Sequence, residues 1–414
     1  MCYNALAMFV THLSLTNFRN FTRLEVNLGD GPVLFVGTNA QGKTSLLEAV
    51  YFLSGGTSPH ASSDRQLINF LSLRDPQPFS RLVADIQRGG RPQRIETRLI
   101  LEPVGIAGDL RLRKEILING VKSRQSQLSG VFNAVLFLPQ YMQILEGAPQ
   151  ERRKHLDALI CQADPVYAEA LGSYQKVLSQ RNALLKQLQD RRGNLDQLSF
   201  WDTRFLDTAA LLIQRRALTF RELEPTAREI HADLTRHTEV LQFAYQPRLS
   251  HGSSGSTQPA LPFTETESYT PGTLEKIKQA LQEALEANRQ EEIARGITIT
   301  GPHRDDYNFL ADRIDLRTYG SRGQNRTALL SLMLSEVVWL RQRTGEWPVL
   351  LLDEVLAELD PARRSDLLER ISAANQVMVT AADLDMFTEP FYSASSIFQI
   401  QSGKLSSMNA ADLL

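Results

Sequence analysis

Apolar and polar positions alternate over residues 9–15 and 21–28, and residues 32–36 form a short unbroken apolar run, the mark of a strand buried on both faces. A helical period starts at Lys43 and sets Leu46, Leu47, Val50, Tyr51 and Leu53 along one side. Strand patterns recur at 82–86, 95–101, 110–118 and 135–138, with Asn119-Gly120 as the expected hairpin turn. From Pro149 to about Tyr245 the period is helical. Leu171, Leu178 and Leu185 recur every seven residues around Tyr174 and Leu188, Gly193-Asn194 interrupts, and Trp201, Phe205 and Leu212 resume the pattern. An antiparallel helical arm and a compact helical subdomain both fit, and they differ only in how far the lobe protrudes. Residues 250–272 are rich in Ser, Thr, Gly and Pro and have no apolar period, so a mobile loop is expected there. A helix over 271–294, strands at 296–300 and 307–316, a helix from Arg322, a strand at 349–352, a helix from Pro361 and strands at 377–380 and 397–400 complete the pattern. The expectation is an α/β head in two halves, 8–149 and 295–405, separated by a helical lobe at 150–294.

Composition narrows this picture. A chain of 414 residues with 42% hydrophobic content can bury a sizeable core without staples. Its two cysteines, Cys2 and Cys161, form neither a disulfide framework nor a zinc cluster, which fits a reducing compartment. No apolar run reaches the roughly 18 to 20 residues that span a bilayer, and no signal peptide is legible, so a cytoplasmic location with no membrane partner is expected. Residues before Met8 read as a short extension, with Met8 an alternative start. The net charge of −2 excludes a uniformly basic nucleic-acid binder, so any DNA site must be a local patch.

The candidate chemistry begins after the buried run at 32–36. Gly37-Thr38-Asn39-Ala40-Gln41-Gly42-Lys43-Thr44 has the form G-x-x-x-x-G-K-[ST] and stands between a strand and a helix, the context this phosphate cradle requires. Glycines let the backbone wrap phosphates, loop N–H groups and the helix N-terminus supply positive dipole, Lys43 reaches the terminal phosphates, and the Thr44 hydroxyl is a Mg²⁺ ligand. The apolar strand Val349-Leu350-Leu351-Leu352 ends in Asp353-Glu354. There Asp353 would hold Mg²⁺ and Glu354 would act as general base toward the attacking water, so the cofactors expected are ATP and Mg²⁺. Thr44 and Asp353 are 309 positions apart, which leaves room for a large insertion within the head.

Ser321-Arg322-Gly323-Gln324 opens an amphipathic helix and is similar to the signature motif of ABC-type ATPases, where a serine, a glycine and a helix N-terminus face a γ-phosphate. Taken alone it is a helix cap with a glycine in the first turn. Glu358-Leu359-Asp360 follows the acidic pair at the place of a D-loop. In ABC-type heads the signature completes the nucleotide site of a second molecule, which implies a homodimer.

With these motifs in hand the chain resembles the RecF family of bacterial recombination mediators, over nearly its whole length. The family marks are residues 15–21 (LTNFRNF), the Gln-Gly-Lys-Thr cradle, residues 147–157 (GAPQERRKHLD), residues 301–306 (GPHRDD), Ser-Arg-Gly-Gln and residues 350–360 (LLLDEVLAELD). The resemblance implies a P-loop ABC/SMC-type ATPase head with a mixed β-sheet and an inserted helical arm. It also implies ATP-dependent dimerisation on DNA, slow hydrolysis acting as a switch, and cooperation with RecR in loading RecA at gaps. It places Arg19 and Asn20 at the nucleotide. The family more often has two aspartates where Asp353-Glu354 stands, which strengthens Glu354 as base. Gln140 is either a Mg²⁺-sensing Q-loop residue or a plain loop residue, and Thr380 stands where an ABC switch histidine is missing. A transporter ATPase subunit and an SMC-like DNA tether are the competing readings.

DNA contacts are expected from Arg111, Arg113, Lys114, Lys122 and Arg124 around the Asn119-Gly120 hairpin and from Arg152, Arg153 and Lys154 on the next helix, although a solvated charged hairpin has the same composition. His303 and Arg304 are read as structural partners of Asp305 and Asp306 rather than metal ligands.

Overall fold

The chain starts with strands β1 (Met8–Phe18), β2 (Phe21–Asn27) and β3 (Gly31–Val36), then helix α1 (Lys43–Gly55). β4 (Phe79–Arg88), β5 (Arg91–Val104), β6 (Asp109–Ile118) and β7 (Val121–Ser123) form a meander, and β8 (Ala134–Phe137) follows. The helical stretch is α2 (Met142–Glu146), α3 (Pro149–Ala163), α4 (Pro165–Gln189) and α5 (Asp196–Leu234). β9 (Leu241–Gln246), α6 (Leu274–Arg295), β10 (Asp306–Ala311), β11 (Ile314–Asp315), α7 (Leu316–Tyr319) and α8 (Arg322–Thr344) come next. β12 (Val349–Asp353), α9 (Pro361–Ile371), β13 (Gln376–Ala381), α10 (Glu389–Ser393), β14 (Ser396–Gln401) and β15 (Lys404–Met408) complete the order. This computed structural model describes residues 7–104, 109–249 and 269–408. All but the last residue of the extension expected before Met8, and most of the loop expected at 250–272, lie outside them.

Two compact units are present: the described residues up to Gln140 with those from Val337 onward, and Tyr141–Glu336. In the first, one antiparallel sheet runs in the order β2-β1-β4-β5-β6-β7, and a second runs β15-β14-β3-β13-β12-β8, parallel except for its edge strand β15. All five residues of β12 and all six of β13 are buried, as continuous apolar strands in a parallel sheet should be. α1 packs against β1 and β4 of one sheet and β8, β12 and β13 of the other, so the apolar side read from Leu46, Leu47 and Val50 has a wall on each flank. The Gln376 amide stitches the sheets together. It accepts from Val10 N at 2.9 Å and donates to the carbonyls of Val10 (2.9 Å) and Gly29 (2.8 Å), at the bulge where β1 shifts register against β4.

In the second unit α4, α5 and α6 pack together and β9, β10 and β11 form a small antiparallel sheet. The break at Gly193-Asn194 is where α4 gives way to α5. The buried seam of α4 is Tyr167, Ala170, Tyr174, Val177, Arg181, Leu184 and Leu185, while Leu171 and Leu178 are half-buried, so of the three heptad leucines only Leu185 lies at the centre of the contact. Residues 296–300 are not a strand: the N–H groups of Thr298 and Ile299 go to the side chains of Asn182 (2.8 Å) and Glu292 (2.9 Å) in place of a ladder. The strand expected over 307–316 ends at Ala311 in an Asp312-Arg313 turn. The boundary expected at residue 295 differs from the observed division at Glu336, because β10 pairs with β9 and so joins the helices.

Candidate functional site

The cradle is built where β3 turns into α1. Gly37 is required there because a Cβ would lie 2.4 Å from the Ile400 carbonyl of β14, and Gly42, with φ 113°, because a Cβ would meet the Asn20 amide at 2.4 Å. Ala40 is also left-handed, with φ 64°. Alternating backbone handedness of this kind turns successive N–H groups inward, which suits an anion. The resulting cleft, about 330 Å³, is lined by Asn20, Asn39, Ala40, Gly42, Lys43, Thr44, Ser45 and Glu354. The Lys43 ammonium, 4% exposed, is held by the carbonyls of Gly37 (2.5 Å) and Thr38 (3.2 Å) and pairs with Glu354 Oε1 at 3.0 Å.

Behind the cleft the Asp353 carboxylate lies between two hydroxyls: Thr44 Oγ1 donates to Oδ2 at 2.7 Å and Thr380 Oγ1 donates to Oδ1 at 2.7 Å. Burial pushes the Asp353 carboxyl above its usual range, against those two hydrogen bonds, and the neighbouring Glu354 adds to the rise. A divalent cation answers this arrangement, since it stabilises a buried carboxylate and takes a hydroxyl and a carboxylate oxygen as ligands. Thr44 and Asp353 thus fit Mg²⁺. Glu354 has a left-handed backbone, φ 52°, and its N–H donates to Thr380 Oγ1 at 3.0 Å. Thr380, at the place of the missing switch histidine, is buried and bonded to both acidic residues, an arrangement that orients Asp353 and Glu354.

Of the first-strand pair, Asn20 lines the cleft and donates to Gln41 O at 3.1 Å. Arg19 makes a two-pronged pair with the buried Glu48 of α1 (2.8 and 2.6 Å) and donates to Gln66 O, and it does not line the cleft. A charged residue at an otherwise apolar position of α1 was the available signal for Glu48. Gln140 is exposed in a short turn after β8 and does not line the cleft.

The signature belongs to the other unit. Ser321 Oγ accepts from Gln324 N at 3.2 Å and Gln324 Oε1 accepts from Ser321 N at 2.9 Å, a reciprocal capping box at the head of α8. Gln324 also donates to Glu239 (3.0 Å). Ser321, Arg322 and Gly323 are exposed, and a Cβ on Gly323 would meet nothing closer than Ser321 Oγ at 3.9 Å. Asp360 caps α9 through Arg363 N at 3.0 Å.

The basic residues separate into two groups. Asn119 and Gly120, at φ 51° and 81°, make the expected tight turn, around which Arg111, Lys122 and Arg124 are exposed. Arg113 pairs with Glu102 and Glu115. Lys114 points inward over the Phe52 ring and donates to Gly56 O and to Asp64 (2.9 Å), with burial holding its pKa down. Arg152 is 1% exposed, with a two-pronged pair to Asp306 (2.6 and 2.8 Å) and a bond to Gly147 O. Arg153 is half-buried and donates to Asp305 O at 2.6 Å. Lys114, Arg152 and Arg153 therefore make internal structural bonds. His303 and Arg304 are structural too, with partners other than those expected: His303 bonds Tyr174 OH (2.6 Å) and Thr298 O (3.0 Å), and Arg304 donates to Thr298 O at 3.4 Å. Asp305 is held instead by Arg216, Tyr245 and the N–H of Arg248.

A phosphate loop between a parallel strand and a helix, with an acidic strand end hydrogen-bonded to its threonine, defines a P-loop ATPase head of the SMC type. The family described as the RecF/RecN/SMC N terminal domain matches residues 9–406. The DNA replication and repair protein RecF of Roseiflexus castenholzii is 38% identical over 409 residues, covering 96% of this chain and 99% of that protein. RecF of Bacillus subtilis is 35% identical over 402 residues, covering 96% and 100%. Among solved structures, the recombination mediator protein RecF-ATP in the RecFOR pathway matches with TM-score 0.81 and 28% identity over 99% of this chain and 100% of that one. The chain belongs to the RecF family.

Proposed function

We propose that this protein is an ATP-dependent DNA-binding recombination mediator that closes as a homodimer on ATP and opens on slow hydrolysis. The observation that carries the reading is the hydrogen-bonded triad Thr44–Asp353–Thr380 beneath a left-handed phosphate loop, with Glu354 presented on Lys43. Bound at Thr44 and Asp353, Mg²⁺ would supply charge to the phosphates. Lys43 exchanges its loop carbonyls for phosphate oxygens, and that releases Glu354 Oε1 to take the proton of the attacking water. The likeness to a solved RecF-ATP structure supports a nucleotide in the cleft lined by Asn20, Lys43 and Thr44.

Dimerisation is supported by Gly323. Glycine in the first turn of a helix weakens it, and no neighbour among the described residues requires one here. Close approach of a second molecule's γ-phosphate to Ser321, Gly323 and the α8 N-terminus supplies the reason. DNA is read onto the exposed Arg111, Lys122 and Arg124. RecR and RecA enter as partners through the family, and the setting is the cytoplasm; among the described residues no helix is long and apolar enough to cross a membrane. The test is size analysis of wild type, Lys43→Ala, Ser321→Ala and Glu354→Gln with ATP and gapped DNA. Ser321→Ala should bind ATP and stay monomeric, while Glu354→Gln accumulates as a DNA-bound dimer. A Ser321→Ala protein that dimerises normally refutes the trans site.

A further inference from the structure

The apex of the phosphate loop is braced from outside the loop. Gln41, at its apex, lies between two left-handed residues, Ala40 at φ 64° and Gly42 at φ 113°. No strand or helix ladder fixes it there. Its bonds come largely from outside the loop: the Gln41 carbonyl accepts from Asn20 Nδ2 at 3.1 Å and from Gly403 N at 3.3 Å, and its side-chain Oε1 accepts from Ser402 N at 2.5 Å. Ser402 and Gly403 form the two-residue turn between β14 and β15, and both are left-handed, at φ 51° and 72°, as such a turn requires. The same turn touches the opposite wall of the cleft, because a Cβ on Gly403 would lie 3.2 Å from the Asn20 carbonyl. One residue before the turn's strand end, the Ile400 carbonyl abuts the first glycine of the loop, Gly37.

We infer that the Ser402–Gly403 turn is a positioning element of the nucleotide site, acting through Gln41 and Asn20 to hold the phosphate loop in its anion-binding shape before ATP arrives. A loop with alternating handedness presents inward N–H groups only while that handedness lasts, and preorganisation of the donors raises affinity without new contacts to the ligand. The turn touches the loop's apex and not Lys43, Thr44, Asp353 or Glu354, so its effect falls on binding and not on the chemical step. The inference rests on the cleft being the ATP site.

The test is calorimetric titration of the full chain with ATP, together with steady-state kcat and KM, for wild type, Gln41→Ala, Ser402→Pro, the double variant and Ser402→Gly. Gln41→Ala removes the acceptor and Ser402→Pro the donor. Each should weaken ATP binding by up to about tenfold, the upper end of what one hydrogen bond contributes, with kcat at saturating ATP within about twofold of wild type. The double variant should bind no more weakly than the weaker single, since both cut one contact. Ser402→Gly keeps the N–H and suits the left-handed backbone, so it retains wild-type affinity. Wild-type affinity in Gln41→Ala, or losses that multiply in the double variant, overturns the inference. Gln41→Ala decides alone if Ser402→Pro lacks the wild-type circular dichroism spectrum. A wild-type chain that takes up no ATP refutes the nucleotide reading itself, a result distinct from either of these.

Discussion

At the scale of single residues, Thr380 is the side chain whose role is most sharply set by geometry. Its one hydroxyl proton goes to Asp353 and its lone pair receives the Glu354 N–H, so a buried oxygen aims both acidic residues at once. Thr380→Val keeps the volume and removes both bonds. Steady-state ATPase assays should show kcat down by at least about tenfold with KM little changed, because misdirected catalytic groups lose rate before they lose affinity. Thr380→Ser should recover most of it. A valine variant with wild-type kcat would return the acidic pair to self-sufficiency. The cradle and the acidic pair were legible in the sequence because each is contiguous and each residue type has one job. The Thr380 role was hidden since threonine in a buried strand is ordinary, and only the pairing of β13 with β12, which brings Thr380 opposite Asp353, reveals it. The Arg19 pairing was hidden for the complementary reason: its motif is local, but its partner Glu48 is set by the packing of α1.

At the scale of elements, the helical unit is organised around buried guanidinium groups. Arg181, 1% exposed, joins Asp202 of α5 (2.8 Å), Glu292 of α6 (2.7 Å) and Thr298 (2.7 Å), so a single α4 residue ties three segments. Removing one member of such a network leaves buried charge unpaired, and Arg181→Met should lower unfolding free energy by about 3–5 kcal/mol in denaturant titration. A loss below about 1 kcal/mol would mean the network is redundant. The same charge explains why the α4 seam was only partly legible: an arginine in the middle of an apolar stripe breaks the hydrophobic period, so the pattern marks Tyr174 and Leu185 of the seam together with the half-buried Leu171 and Leu178. β9 was absorbed into the helical run because its partner β10 is distant in sequence, and strand pairing across such a gap leaves no local trace.

His303 gives the helical unit a pH dependence. Burial holds its pKa down to about 4, against an ordinary value of 6.5, and its two ring nitrogens are committed to Tyr174 and Thr298 in the neutral form. Above pH 6.5 neither folded nor unfolded chain protonates this ring, so the full stability is present. As pH falls from 6.5 towards about 4, only the unfolded chain takes the proton, and stability is lost by an amount on the order of 3 kcal/mol. His303→Gln should flatten that part of the stability profile. An unaltered slope would assign the acid sensitivity to other groups.

At the scale of the whole molecule, a net charge of −2 means that long-range attraction cannot bring DNA to the surface at large, so affinity must come from a local cluster of cations free to meet phosphates. The structure divides the basic residues by that criterion. Lys114 and Arg152 are committed to internal carboxylates, whereas Arg111, Arg124 and Lys122, which is 72% exposed and pairs with Glu115 at 3.1 Å only on the surface, surround the β6–β7 turn. Each neutralised phosphate adds about 0.9 to the slope of log affinity against log salt, so the triple change of Arg111, Lys122 and Arg124 to Ala should weaken DNA binding and reduce that slope by about 2–3. Lys114→Ala should do the opposite in kind: it strands Asp64 and the Gly56 carbonyl, lowers the melting temperature, and leaves the salt slope of the folded fraction unchanged. Filter binding over a salt series with both variants separates the two outcomes. An intact slope in the triple variant would move the DNA site to another face, and a reduced slope in Lys114→Ala would mean that this lysine leaves Asp64 to meet the phosphate backbone.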